Sequence, residues 1–394
     1  MKMKNIVLAM ASVGCVMATL PGAANAGELD EMKAMLQKLQ ARIDTLEAQK
    51  AAAPAPAATT AVTAGNPSLF SNSSVTLYGK LDVFTEYDTG GGKGTRLAFD
   101  SGGMNGSRWG VKGGADLTKE IRGIYQVEGG FLVNKGSSTQ GGLLFGRQAY
   151  VGIESKFGRL TTGRQYGVFY NASQSYDPFE QGYGSPTNSG QFDSGAVRYD
   201  TSLIYASPKF AGDFSGNVMV ANGNQTGGDK HSAHALALNY APGKFGATIA
   251  TQKDDHIADA TAVKNYKFAG ASYQLGNSKL MVGLNRTDRT ADGAATTHRK
   301  EWMVGVKSQM TSTGALLAVL GRGKTSELDD ASGALAVGWI EALSPQTNVY
   351  GVVARHTNGK VAANVPQGTS SSGAYSINPG QDPYGLALGF QYSF

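Results

Sequence analysis

Tyr384-Gly385-Leu386-Ala387-Leu388-Gly389-Phe390-Gln391-Tyr392-Ser393-Phe394 decides the fold. Apolar or aromatic residues occupy every second position from Tyr384 to Phe394, and Gly, Ala, Gln and Ser fill the positions between. A side-chain period of two places the first set on one face of a strand and the second on the other. One greasy face with aromatic ends, backed by a small or polar face, is the pattern of a strand between lipid and a watery lumen. The length suits a tilted membrane-crossing strand of roughly 9–11 residues.

The same alternation fills the chain from Ser74 onward. Val75, Leu77, Gly79, Leu81 and Val83 alternate with Thr76, Tyr78, Lys80, Asp82 and Phe84. Short breaks such as Pro208-Lys209, Pro242-Gly243, Gly276-Asn277 and Ser344-Pro345 take turns with long polar insertions. Tight turns at one rim and long loops at the other are how outer-membrane barrels are connected. Strands are expected near 74–87, 106–117, 120–133, 142–155, 159–167, 196–207, 213–223 and 232–241. The second half is expected near 244–253, 264–275, 278–289, 299–309, 314–325, 331–343, 347–357 and 383–394. Sixteen strands leave about 20 residues each, connections included, and barrels of about 16–18 strands enclose an aqueous channel. The fold class is therefore all-β, a transmembrane sixteen-stranded antiparallel barrel.

Composition agrees. The chain has 54 glycines, 17 tyrosines and 15 phenylalanines, and only 12 prolines. After the first residues no run approaches 18 consecutive apolar residues, so membrane insertion has to come from strands that satisfy their own backbone groups. At the start, Lys2 and Lys4 precede an apolar stretch from Ile6 to Leu20 and then Gly22-Ala23-Ala24-Asn25-Ala26. That order predicts a secretory signal peptide over 1–26. Its removal takes Cys15, the one cysteine, and lowers the formal charge from +5 to +3 by loss of the two lysines. The remainder has no disulfides to lean on, and its charge is too mild to imply a nucleic-acid partner.

Residues 27–50 predict a short periplasmic coiled coil. Leu29, Leu36 and Ile43 fill one heptad position and Met32, Leu39 and Leu46 the other. Glu28 with Lys33 and Arg42 with Glu47 supply flanking pairs of opposite sign. An Ala-, Pro- and Thr-rich stretch follows, with Pro54, Pro56 and Pro67, and reads as a linker over 51–73. The barrel occupies 74–394.

The longest internal interruption is Val168 to Gly195, carrying Tyr176-Asp177-Pro178-Phe179-Glu180 and later Asp193. A compact domain rarely keeps a loop of nearly thirty residues without using it. Arginines recur around it, in Ser107-Arg108-Trp109-Gly110, Phe145-Gly146-Arg147, Thr162-Gly163-Arg164 and Val197-Arg198-Tyr199. Val197, Tyr199, Thr201, Leu203 and Tyr205 share a face, so Arg198 points the other way; Lys80 and Arg108 likewise lie opposite apolar neighbours. A charge on the lipid face near mid-membrane costs roughly 2–4 kcal/mol, which favours the lumen. Arg147 shares parity with Ala149, Val151 and Ile153, and needs a bulge or a rim position to reach it.

Across 74–394 the sequence resembles the trimeric general-diffusion porins of Gram-negative outer membranes. The resemblance rests on Val75-Thr76-Leu77-Tyr78-Gly79-Lys80, on Ser107-Arg108-Trp109-Gly110-Val111-Lys112-Gly113 with Asp116-Leu117, and on Phe157-Gly158-Arg159-Leu160-Thr161-Thr162-Gly163-Arg164-Gln165-Tyr166-Gly167. Arg198 to Ser207 with Pro208-Lys209-Phe210-Ala211-Gly212, and Phe394, complete it. It implies a loop after the fifth strand folded into the channel, with Lys80, Arg108, Arg147, Arg164 and Arg198 as the basic wall of the constriction. Asp177 and Glu180 would be the facing acids, in an order, Asp-Pro-Phe-Glu, that differs from the family's commoner Pro-Glu-Phe-Gly, and Asp193 a third. It implies a homotrimer, passive passage of small hydrophilic solutes and ions, no cofactor, and Phe394 as a mark for outer-membrane assembly. The helix and linker at 27–67 resemble the periplasmic extensions of some porins and point to contact with the cell wall.

Opposed charges across a narrow aqueous passage set up a transverse field, and five bases against two or three acids favour anions slightly. Two other classes compete. An enzyme needs a nucleophile and base in reach, yet His231, His234, His256, His298 and His356 form no such motif, and His231 and His234 on one strand point apart. An oxyanion-selective channel needs a ladder of lumen arginines, whereas the bases are concentrated in the first half.

Overall fold

The computed structural model describes Ala41 and residues 71–222, 232–256, 261–328, 330–370 and 375–394. Apart from Ala41, the expected signal peptide, coiled coil and most of the linker lie outside the described residues. Among the described residues no helix is long and apolar enough to cross a membrane.

Alternation makes the strands. They are β1 (Ser71–Thr89), β2 (Arg96–Ser101), β3 (Arg108–Asp116), β4 (Ile121–Gly130), β5 (Gln148–Ser155) and β6 (Gly158–Tyr166). A short helix, α1 (Val168–Gln174), precedes β7 (Arg198–Ala206), β8 (Phe214–Asn222), β9 (Ser232–Tyr240), β10 (Phe245–Asp255) and β11 (Ala262–Leu275). Then come β12 (Ser278–Ala291), β13 (Thr296–Gln309), β14 (Gly314–Thr325), β15 (Asp330–Ser344), β16 (Thr347–Thr357) and β17 (Tyr384–Ser393). Along β1 one edge meets β17, while the other meets β3 through Lys80 and β2 from Val83. Thus β2 and β3 lie end to end as one stave, and the seventeen segments form a closed antiparallel barrel of sixteen. The segment Arg96–Ser101 was not expected. It is part of the second stave, cut from the rest by residues 102–107 turning inward.

Closure follows from the ladder. Lys80 to Thr89 pair with Ser393 to Tyr384, and reciprocal bonds between Gly79 and Phe394, 3.0 and 3.1 Å, add a further step. No edge is left for lipid to desolvate. Outside, Leu335, Val337, Val353 and Leu388 stand exposed in a band, as lipid-facing side chains do. At the short-turn rim Phe210, Phe214, Tyr240 and Phe245 pack ring against ring, Phe214 and Tyr240 at 4.5 Å. At the long-loop rim Tyr384 lies beneath the Arg355 guanidinium. The connections 156–157, 276–277 and 345–346 are minimal, whereas 131–147, 167–197 and 358–383 are long.

Inside, one buried carboxylate joins four parts of the wall. Asp82 accepts backbone N–H bonds from Gly103, Met104 and Asn105 at 3.1, 3.1 and 2.7 Å. It also accepts from the Tyr350 hydroxyl at 2.7 Å and the Gln391 amide at 2.8 Å. This links β1, the inward turn, β16 and β17 at the seam. Asp82→Ala would leave these buried donors without an acceptor, at about 1–3 kcal/mol per orphaned group. A drop in the temperature at which the folded band is lost on unboiled gel electrophoresis is expected; an unchanged transition would show that the seam does not depend on it.

Candidate functional site

Residues 167–197 fold into the barrel, and the sequence shows why they fit. In α1, Val168, Phe169, Ala172 and Ser173 are buried. Phe169 packs 5.1 Å from Tyr266 and 6.3 Å from Phe268, on β11. Tyr176 and Phe192 close on the same Phe268 ring at 5.5 and 6.1 Å. The facing wall gives way where the loop's prolines approach. A Cβ at Gly305 would lie 2.6 Å from Pro178, and one at Gly321 2.7 Å from Pro186. Only glycine admits contact so close. At the far side the Tyr183 hydroxyl donates to Asp88 at 2.6 Å. Burial, then the neighbouring carboxylate, push its pKa far above the usual tyrosine value, so it remains a donor.

Within the loop Asp177 is buried. It accepts from the backbone N–H of Phe179 and Gln181 at 2.9 and 3.1 Å, from Thr187 Oγ1 at 2.5 Å and from the Ser185 hydroxyl. This collar holds Glu180 and Gln181 in left-handed conformations, φ 51° and 67°, which L-residues seldom adopt. Glu180 is thereby exposed on the lumen side, within electrostatic reach of Lys80. Asp177, expected as a facing acid, instead spends its carboxylate on shaping the turn. Asp193 lies 3.6 Å from Lys264 Nζ and is also bonded by the N–H of Gly195 at 3.0 Å.

Opposite the loop stand the bases. Lys80 and Arg108 are direct register partners on β1 and β3, and Lys80 donates to Asn105 at 2.9 Å. Arg147 lies just before β5, outside the regular strand, so parity does not bind it. Its guanidinium turns inward and pairs with Glu128 at 2.7 Å. Tyr166 accepts from both Arg147 and Arg198, at 2.6 and 2.7 Å, and the Arg198 guanidinium lies 4.4 Å over the same ring. Arg198 has no carboxylate within ion-pair distance among the described residues, and its buried Nε has no partner there.

Arg164 departs from the expectation. Its register partner is Ala149, whose neighbours Val151 and Ile153 are exposed outside, so Arg164 shares the outer face. There it pairs with Asp200 at 2.5 Å and donates to Gly146 O at 2.7 Å. A register shift between Gly163 and Gln165 brings both Gln165 and Tyr166 inward and breaks the simple count.

A cavity of about 1280 Å³ runs between loop and wall. Besides Arg108, Arg147 and Arg198 it is bordered by Lys264, Lys279, Arg289, Arg299 and Lys307. These five, from β11 to β13, were missed. The signal was present: Leu280, Val282 and Leu284 face out, so Lys279 and Arg289 on the other parity face in. Arg299 is held by Glu301 at 2.6 Å. Lys279 and Lys307 are direct register partners, and neither has a carboxylate partner among the described residues. Bordering acids are Asp177, Glu180 and Asp193.

A second long loop, 358–383, reaches the first. Asn188 and Gln367 exchange amide bonds with each other's backbone at 2.8 and 3.0 Å. Thr369 Oγ1 donates to Gln181 O at 2.9 Å, next to Glu180. Removing both clips, by Asn188→Ala and Gln367→Ala with Thr369→Val, is expected to raise open-channel current noise several-fold while leaving barrel unfolding near that of the parent. Single-channel recordings as quiet as the parent's would show that the inner loop needs no such support.

The model for the Gram-negative porin family matches residues 52–361. An outer membrane porin protein of Bordetella pertussis is 30% identical over 246 residues, 54% of this chain and 64%, less than two thirds, of that protein. Outer membrane porin protein 32 of Delftia acidovorans is 24% identical over 353 residues, 85% of this chain and 98% of that one. Among solved structures, an anion-selective porin from Comamonas acidovorans superposes with a TM-score of 0.73 at 23% identity, covering 82% of this chain and all of that one, a likeness of fold.

Proposed function

Since the chain belongs to the Gram-negative porin family, a family of the outer membrane, we propose that it forms a water-filled passage for small hydrophilic solutes and that anions pass preferentially. One observation carries the preference. Among the described residues, eight basic side chains border the cavity against three carboxylates, of which Asp177 is consumed by its own loop and Asp193 faces Lys264. Arg198, Lys279 and Lys307, without a carboxylate partner among the described residues, are the uncompensated sources of the field. Lys80, Arg108, Arg147 and Arg198 form the basic wall in this reading and Glu180 the facing acid. Arg164 has no part in it. Exclusion acts first by size and then by charge. Passage down a gradient asks for no covalent chemistry and no cofactor, and the chain is not an enzyme on this reading.

Arg198→Gln together with Arg108→Gln is expected to reduce the chloride-over-potassium permeability ratio at least two-fold, and Glu180→Gln to raise it. The measurement is the reversal potential across a salt gradient in planar bilayers. A parent channel that prefers cations would reject the sign.

The Lys279–Lys307 pair supports a second reading, an oxyanion-selective channel. Conductance that saturates at low phosphate would favour it, and a linear rise would favour simple diffusion. We further propose a homotrimer, with residues 1–26 removed as a signal peptide, 27–50 forming a periplasmic coil on the 51–73 linker, and Phe394 marking the chain for assembly. Deleting 27–67 is expected to leave conductance unchanged and to weaken attachment of the outer membrane to the cell wall; equal attachment would remove the tethering role.

A further inference from the structure

Beneath α1 the lumen opens sideways into a second cavity of about 300 Å³, at the small end of the range that holds a discrete ligand. It lies beside the main passage, with Tyr166, Asn171 and Ser175 bordering both. Arg159 comes just after the short 156–157 turn, so the recess lies toward the short-turn rim.

Its lining is chemically specific. The floor is apolar, made by Val168 and Ala172 of α1 and by Ile204, Ala206 and Ala237 of the wall. Around it stand the neutral amides of Gln148, Asn171 and Asn217, none of which has a side-chain hydrogen bond among the described residues. Among the described residues one charged side chain borders the space, Arg159, and no carboxylate does. Glu154 is the register partner of Arg159 on β5, yet the two make no ion pair. An unpaired guanidinium offers a bidentate fork matched to a carboxylate. Free amides beside an apolar floor suit the rest of a small organic acid.

We propose that this recess is a binding subsite for small organic monocarboxylates with a compact apolar body, the carboxylate held by Arg159 and the body laid on Ala172, Ile204 and Ala206. The subsite rests on the reading of the barrel as a solute passage. An inorganic anion would use Arg159 alone and gain nothing from the floor. A neutral sugar would gain nothing from the charge. The chemistry therefore separates this recess, one base over an apolar floor, from the basic wall, where Arg108 and Arg147 gather at Glu128 and Arg198 lies over the Tyr166 ring.

The test is the chloride current of the purified full chain in planar bilayers as benzoate is added, with acetate and inorganic phosphate as comparison probes. Benzoate is expected to reduce the current saturably, at lower concentration than either comparison anion. Arg159→Gln should raise the half-blocking benzoate concentration about ten-fold, the size of a lost charge-assisted bond. Ala206→Leu, which fills the floor, should raise it for benzoate and leave acetate unaffected. Benzoate no better than acetate, or a half-blocking concentration within two-fold of the parent in both variants, would overturn the subsite. So would a block abolished by Arg198→Gln and untouched by Arg159→Gln, which would place the anion at the basic wall. Calorimetric titration of benzoate into the detergent-solubilised chain reads the recess without current. Binding lost in Arg159→Gln, in a protein that carries no current, would sink the channel reading and leave the subsite standing.

Discussion

Hydrocarbon offers no hydrogen bonds, and from this the rest follows. Every backbone N–H and C=O at membrane depth has to find a partner within the protein. The chain meets that demand by pairing each strand with its sequence neighbours and by bringing β17 back to β1. Once the ring is closed, the outer face is free to be uniformly apolar. The inner face carries the polar groups that lipid would penalise. Asp82 shows how far this goes: a carboxylate at the seam is tolerated because five donors surround it.

The same closure makes room for the inner loop. A ring of sixteen staves is wider than its side chains can fill. The loop 167–197 occupies part of that width, and the wall it touches is cut down to Gly305 and Gly321 where Pro178 and Pro186 approach. Aromatic residues anchor one side, through Phe268, and the Tyr183–Asp88 bond the other. What remains is an off-centre passage with bases on the far wall. The recess beneath α1 is the other remnant, left because a seven-residue helix does not fill the space below it.

Much of the site was legible because lumen and lipid alternate along each strand. Lys80, Arg108 and Arg198 could be placed by counting in twos from apolar neighbours, and each faces the lumen. The same count, continued through β12 and β13, would have found Lys279, Arg289 and Lys307. They lie far along the chain from the long loop, so nothing near them in the sequence marks them as its neighbours across the lumen. Arg164 was countable too: it shares parity with Leu160 and Thr162 on the outer face, and only the resemblance set it in the lumen. The inward turn of Tyr166, by contrast, comes from the register shift after Gly163, and a bulge leaves no mark in the order of residues. Asp177 could not be read either, since its partners Ser185 and Thr187 come to it only when the loop folds back.

By itself, then, the sequence determined the medium, the closed barrel and the sign of each face. Those properties depend on a local period of two and on the cost of placing charge or unpaired backbone in lipid. Tertiary structure alone decided which charges remain available to a solute. Glu128 neutralises Arg147, Asp193 meets Lys264, and Asp177 is spent inside its own loop, while Arg198 is left over. These pairings join residues from separate strands and loops, and electrostatic compensation follows distance in space, of which the linear order carries no record.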